Sequence, residues 1–158
     1  PMGALVTDSG PPVGQPSPVM ELTGLQSEAV RIGGPQPQST LLFFLAPTCP
    51  VCKKLIPILK HLARDEAARL RVVLASDGEG DHLQFMRAQG LQAMPYLLSS
   101  ELGMGYRVSR LPYAVLIDRD GVVQAKGLVN SREQLDSLLN AQDMGTPTIQ
   151  KYLEGQTA

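Results

Sequence analysis

Residues 40–57 read Thr-Leu-Leu-Phe-Phe-Leu-Ala-Pro-Thr-Cys-Pro-Val-Cys-Lys-Lys-Leu-Ile-Pro, an apolar run followed by two cysteines that are separated by two residues. The run Thr40–Ala46 has the length and composition of a strand that is buried on both faces, as in a parallel sheet. Helical spacing of apolar residues begins at Pro50 and continues to about Ala67. The stretch therefore predicts a strand, a short turn that carries Cys49, and a helix.

The two cysteines of this motif, Cys49 and Cys52, are the only cysteines of the chain. Cys49 falls at the predicted start of the helix, where free backbone N–H groups and the helix dipole stabilise an anion. A thiolate there is favoured, and the pKa of its thiol is expected to fall. Cys52 lies one turn further on, on the apolar stripe, and is expected to be less exposed. We therefore expect Cys49 to exchange with a substrate and Cys52 to resolve the mixed disulfide.

Three other interpretations of the cysteine pair are open. A structural zinc site needs four ligands, and the available histidines are His61, roughly 13 Å along the same helix, and His82, in a predicted loop. A copper(I) chaperone would add the thioether of Met94 or Met104 to the two thiolates. An inert pair of core thiols conflicts with the exposed position expected for Cys49. Thiol–disulfide exchange is favoured, and it requires neither a metal nor a cofactor.

The rest of the chain alternates strand and helix patterns. Hairpins are predicted over residues 19–32 and 113–126, the second around Asp118-Arg-Asp-Gly121. Further elements are predicted as strands at Leu70–Ala75 and Tyr96–Leu98, and as helices at Leu83–Gln89, near Glu101–Tyr106, after the capping box Ser131–Gln134, and over Thr146–Leu153. This order predicts an α/β fold with a mixed central sheet flanked by helices.

Composition limits the classes of partner. The chain has 158 residues, 43% of them hydrophobic, and a net charge of -1, which suits one compact domain. Its charges form no basic block, so neither nucleic acid nor an anionic membrane surface is an expected partner. Residues 1–12 are predicted to be a vector remnant and flexible linker, within the Pro- and Gly-rich stretch up to Pro18, and residues 13–158 a single domain. Such a linker suggests a membrane anchor upstream.

Two segments resemble thioredoxins. Cys49–Leu59, with Pro57 five residues after the second cysteine, is similar to the thioredoxin active-site helix, and Val108–Gly121 is similar to the segment with the cis proline. The resemblance implies that the Leu111–Pro112 bond is cis and that Pro112 packs against Cys49; an ordinary proline at a strand start is the alternative. It also implies substrate contacts around the motif, from Thr48, Pro50, Val51, Leu111 and Pro112.

Three features depart from thioredoxins. Thr48 replaces the usual tryptophan, Phe43 stands in place of a buried acid, and an insertion separates the motif helix from the cis-proline strand. Without the acid, a proton must reach Cys52 from another group or from water.

A closer resemblance spans nearly the whole chain. The segments Pro47–Cys52, Glu101–Tyr106, Leu111–Asp118, Lys126–Arg132 and Ile149–Leu153 are similar to the methylamine-utilisation accessory family. This resemblance implies a periplasmic thiol–disulfide oxidoreductase, tethered to the inner membrane, that forms or isomerises disulfides in the small subunit of methylamine dehydrogenase. A membrane redox partner, not identified by the sequence, would recharge it. A reductant of the cytochrome c maturation type and a copper(I)-binding module are the alternatives.

Overall fold

The computed structural model describes residues 10–78 and 80–144 of the chain. In chain order the elements are β1 (Met20–Thr23), β2 (Ala29–Ile32), β3 (Ser39–Phe44), α1 (Pro50–Asp65), β4 (Leu70–Ser76), α2 (His82–Gln89), β5 (Tyr96–Leu98), α3 (Ser100–Gly105), β6 (Tyr113–Ile117), β7 (Val123–Leu128) and α4 (Arg132–Met144). The helix predicted over Thr146–Leu153 lies outside the described residues.

Five strands form a mixed central sheet in the order β5-β4-β3-β6-β7. β3 runs parallel to β4, and β4 parallel to β5, whereas β6 is antiparallel to both β3 and β7. β1 and β2 form a separate antiparallel hairpin. The predicted thioredoxin-like fold, with its N-terminal hairpin and its mixed sheet, is confirmed. α2, β5 and α3 lie between the motif helix α1 and β6.

The central strand β3 is buried along its whole length because both faces of the sheet are covered. Successive side chains of a strand point to opposite faces. Leu41 and Phe43 therefore join the cluster that α1 and α4 cover. Leu42 and Phe44 join a second cluster, which the β1–β2 hairpin and α3 cover.

The helix α1 is held to the first face by its apolar stripe. Cys52, Leu55, Ile56 and Leu59 are all buried, as the periodicity predicts. The helix is capped at its C-terminus by the N–H of Glu66, which donates to the carbonyl of Leu62. Since the stripe includes Cys52, packing of the helix also fixes the start of α1 at the end of β3.

Part of the Pro- and Gly-rich stretch lies on the domain, although its composition predicts a linker. The Gly14 N–H donates to the Val123 carbonyl at 2.7 Å. The hydroxyl of Ser17 is buried and hydrogen-bonds to the hydroxyl of Tyr106. Burial raises the pKa of Tyr106 to about 12. Backbone hydrogen bonds to the edge strand β7 hold this segment, so it needs few apolar side chains.

The sequence also predicts where α2 begins and ends. Gly90 ends this helix in the left-handed conformation, with φ of 68°. His82 is its first residue, whereas the sequence places it in a loop.

Among residues 10–78 and 80–144, no helix has the length and apolar character needed to cross a bilayer.

Replacing Leu59 by alanine tests whether the stripe of α1 anchors the site. Leu59 is fully buried, so we expect Leu59→Ala to lower the free energy of unfolding by about 2–5 kcal/mol. Urea unfolding followed by circular dichroism measures this change. Leu83→Ala is the control, since Leu83 is 42% exposed, and it should cost less than about 0.5 kcal/mol. Equal losses in the two variants would contradict the assignment.

Candidate active site

Cys49 occupies the N-cap of α1, between the end of β3 and the first helical turn. Its backbone is extended, with φ of -92° and ψ of 110°, as is usual at an N-cap. Its N–H donates to the Ala46 carbonyl at 3.1 Å, and its carbonyl accepts from the Lys53 N–H at 3.2 Å. Pro50 follows at the first helical position, where the missing N–H costs no helical hydrogen bond. The turn is therefore fixed on both sides of the sulfur.

The sulfur of Cys49 receives a backbone donor of the helix. The Cys52 N–H points at the Cys49 Sγ, with a nitrogen–sulfur distance of 3.2 Å. The first turn of α1 contains no acidic residue, and Lys53 and Lys54 are exposed on it. No negatively charged side chain in that turn therefore offsets the positive end of the helix dipole. The dipole stabilises negative charge on the Cys49 sulfur.

Cys49 and Cys52 form a disulfide, with 5.2 Å between their Cα atoms. The two sulfurs differ in their surroundings. Cys49 is half-buried at the surface, whereas Cys52 is fully buried in the cluster that contains Phe43 and Leu55. A partner in solution can therefore reach Cys49 but not Cys52, which agrees with the exposure that the sequence predicts.

The Leu111–Pro112 peptide bond is cis, as the resemblance implies. Phe44, the last residue of β3, pairs with Tyr113. This register brings Pro112 to the end of the sheet from which the motif emerges. Pro112 is buried, and its carbonyl accepts from the Val129 N–H at 3.0 Å. Direct packing of Pro112 on Cys49 stays a prediction.

The residues expected to contact the substrate differ in exposure. Thr48, Pro50 and Leu111 are exposed, Val51 is half-buried, and Pro112 is buried. The exposed side chains come from the motif turn and from the segment before β6, two parts of the chain that meet at one end of the sheet. Their role in binding stays a prediction.

Phe43 is fully buried beneath the motif, at the position where thioredoxins carry an acid. Within the described residues the buried polar side chains are Ser17, Ser39, Thr40, Ser76 and His82. None of these is a carboxylate. No buried acid of the described residues can therefore relay a proton to Cys52.

The residues considered for a metal site lie apart. His61 is exposed and pairs with Asp65, with 3.0 Å between its Nδ1 and the carboxylate. Met94 is buried in the cluster of Cys52, but Met104 is 70% exposed on α3, the helix that covers the opposite face. Among the described residues, no group of three or more His, Cys, Asp or Glu side chains could hold a metal ion.

His82 is buried and fully hydrogen-bonded. Its Nε2 lies 2.7 Å from the Gly78 carbonyl, and its Nδ1 lies 2.7 Å from the Tyr96 hydroxyl. Because a carbonyl can only accept, Nε2 carries the proton and the imidazole ties the loop after β4 to α2. Burial raises the pKa of Tyr96, so its hydroxyl stays protonated.

A cavity of about 150 Å³ opens beside Leu111. Its wall includes Ser76 and Asp77, from the end of β4. Sequence reasoning does not single out these residues. The sequence indicates them only indirectly. It predicts β3 and β4 as parallel strands, whose carboxyl ends lie at the same edge of the sheet as the motif.

The chain is similar to known proteins over most of its length. A family described as a thioredoxin-like domain matches residues 25–143. The methylamine utilization protein MauD of Methylorubrum extorquens is 47% identical over 156 residues, which cover 97% of this chain and 75% of that protein. MauD of Paracoccus denitrificans is 46% identical over 156 residues, covering 97% and 77%.

Solved structures show the same fold at low identity. A putative thiol:disulfide interchange protein DsbE from Chlorobium tepidum has a TM-score of 0.70 and 20% identity, covering 84% of this chain and 96% of its own. A putative protein disulfide isomerase from Bacteroides thetaiotaomicron has a TM-score of 0.68 and 21% identity, covering 85% and 89%.

Alkylation of the reduced protein tests the difference between the two thiols. Since Cys49 is accessible at a helix N-terminus and Cys52 is buried, we expect iodoacetamide to modify Cys49 faster by about tenfold or more. Mass spectrometry of quenched samples assigns the modified residue. Cys49→Ser, which leaves only the buried thiol, should react slowly, and Cys52→Ser quickly. Equal rates in the native protein would refute the asymmetry.

Proposed function

The chain belongs to the MauD family of thioredoxin-like proteins and is a thiol–disulfide oxidoreductase, and on that premise we propose that it forms or isomerises disulfides in a client protein. The observation that carries the proposal is the asymmetry of the pair. One sulfur is presented at the surface on a helix N-terminus, and its partner is enclosed in the core.

In the oxidising direction, a client thiolate attacks the Cys49 sulfur of the disulfide. The Cys49–Cys52 bond breaks, Cys52 leaves as a thiolate, and Cys49 holds the client in a mixed disulfide. A second client thiolate then attacks the bound client sulfur, so a client disulfide forms and Cys49 leaves as a thiolate. The client loses two electrons, and the protein gains them.

In the isomerising direction, the thiolate of reduced Cys49 attacks a client disulfide. The released client thiolate attacks elsewhere in the client, and the mixed disulfide is broken by a client thiol. Cys52 attacks the mixed disulfide when the client does not resolve it, at the high effective concentration of a neighbouring group. In the oxidising direction, where Cys52 leaves as a thiolate, the proton that it takes up would come from another group or from water, because the buried polar side chains of the described residues include no carboxylate.

In the mixed disulfide, the client is bound by the motif turn and by the segment before β6. The contacts proposed for it come from Thr48, Pro50, Val51, Leu111 and Pro112. Exposure of Thr48, Pro50 and Leu111 supports this assignment.

The small subunit of methylamine dehydrogenase is the proposed client. The relatives are named for methylamine utilization, and the resemblance of the chain points to a maturation factor for that subunit. The proposed location is the periplasm, where disulfides persist. There a membrane anchor would tether the domain of residues 13–158 through the linker at residues 1–12, and a membrane partner would reoxidise it.

A trapping experiment tests client exchange. In Cys52→Ser the resolving thiol is missing, so the mixed disulfide at Cys49 should accumulate in periplasm that contains the client. Non-reducing electrophoresis and mass spectrometry identify the trapped protein. Cys49→Ser is the matched control and should trap nothing. Absence of any covalent client from the Cys52→Ser variant would overturn the proposal.

Equilibration with glutathione buffers tests the direction. An oxidase or isomerase should have a reduction potential well above that of thioredoxin, about -270 mV, in the range of about -180 to -120 mV. The fraction of reduced protein is read by thiol alkylation across the buffer series. A value near that of thioredoxin would contradict the oxidising role and favour a reductant of the cytochrome c maturation type.

A further inference from the structure

The cavity beside Leu111 is lined by both apolar and polar residues. The apolar lining includes Phe44, Leu45 and Leu111. The polar lining includes Ser76, Asp77 and Ser99, which come from the ends of β4 and β5. Its volume of about 150 Å³ is several times the share of one water molecule, about 30 Å³, so it can admit part of a side chain.

Asp77 is the charged residue among those that line the cavity. Its side chain is exposed, and within the described residues it makes no hydrogen bond and no ion pair. The carboxylate lies over Gly103 of α3, since a Cβ atom at Gly103 would be 3.7 Å from the Asp77 Oδ2. Because residue 103 is a glycine, α3 leaves room for this carboxylate at the edge of the cavity.

The backbone around Asp77 is held in place. Ser76 ends β4 and pairs with Leu98 of β5. The Gly78 N–H donates to the Ser76 Oγ at 3.3 Å, and the Gly78 carbonyl accepts from His82 at 2.7 Å. The backbone that carries Asp77 is therefore held in place before any ligand arrives, which reduces the entropy lost on binding.

The cavity is within reach of a client that is bonded to Cys49. Leu45 lines it and precedes Cys49 by four residues, a span of at most about 14 Å. The Cys49–Ala46 hydrogen bond shortens this span. An extended client rises about 3.3 Å per residue, so a residue two to four positions from its reacting cysteine can enter the cavity.

We propose that this cavity is a specificity subsite that binds a lysine or arginine side chain of the client close to the reacting cysteine, with Asp77 as the residue that selects the positive charge. The apolar lining residues would contact the aliphatic stem of that side chain, and the carboxylate its charged end. Arg107 and Arg110 lie in the same connection between α3 and β6, but neither lines the cavity. The inference rests on the proposed function, because the client must first react with Cys49.

Exchange kinetics with matched peptides test the subsite. Each peptide carries one cysteine, activated as its disulfide with thionitrobenzoate, and has lysine, glutamine or glutamate three residues away on either side. Attack of reduced Cys49 on the peptide sulfur breaks this disulfide, forms the mixed disulfide with the protein and releases coloured thionitrobenzoate. The rate constant should fall from lysine to glutamine to glutamate, by about two- to fivefold per step, as for a solvent-exposed ion pair.

Asp77→Asn should remove this order and leave the rate for the glutamine peptide within about twofold, as expected for loss of one exposed pair. Asp120→Asn is the matched control. Asp120 lies in the turn between β6 and β7, at the opposite end of the sheet from Leu45, so its variant should keep the full order. Salt at about 1 M, where the screening length is about 3 Å, should reduce the preference of the native protein.

The outcomes separate this inference from the proposed function. Failure of all three peptides to react with the native protein would overturn the proposed function. Equal rates for all three would leave that function standing and overturn the subsite. A preference for glutamate, or a lysine preference that survives in Asp77→Asn, would also overturn the role of Asp77.

Discussion

Burial of Cys52 against the central sheet is the constraint on which the site depends. The sulfur lies in the same cluster as Phe43 and Leu55, so the face of α1 that packs on β3 also carries Cys52, the proposed resolving cysteine. A helix that is fixed at this residue must begin one turn earlier. Cys49 is therefore placed at the end of β3 and at the surface, where a client can meet it. The packing of the core therefore also determines where the Cys49 sulfur lies.

The same arrangement gives the two sulfurs different electrostatic surroundings. A thiolate at Cys49 faces the Cys52 N–H and the positive end of α1, whereas a thiolate at Cys52 would lie among apolar side chains. Removing an ion from water costs free energy unless other groups compensate. With Phe43 in place of an acid, the described core offers Cys52 no carboxylate for its proton. Negative charge in the reduced state is thus favoured on the sulfur of Cys49, the one proposed to react with clients.

Much of this arrangement is predictable from sequence because it depends on local patterns. The apolar run before the motif, the stripe of α1 and the Asp118–Gly121 turn each identify an element without knowledge of its neighbours. The cis bond before Pro112 comes from family resemblance, since local propensity favours trans. The docking of Gly14, by contrast, depends on the backbone of β7, and composition alone predicts a free linker there. The hydrogen bonds of His82 likewise need Gly78 and Tyr96 to be brought together by the fold.

The edge of the sheet where the parallel strands end carries both the motif and the proposed subsite. β3 leads into the motif, and the neighbouring strand β4 leads into Asp77, because parallel strands deliver their carboxyl ends to one side. β5 lies beside β4, and α3 covers the second face and places Gly103 next to the Asp77 carboxylate. The Cys49–Cys52 pair itself is carried by α1 and the turn before it. A subsite at Asp77, which lies on a different element from the pair, would therefore alter which client is accepted without changing the chemistry proposed at Cys49.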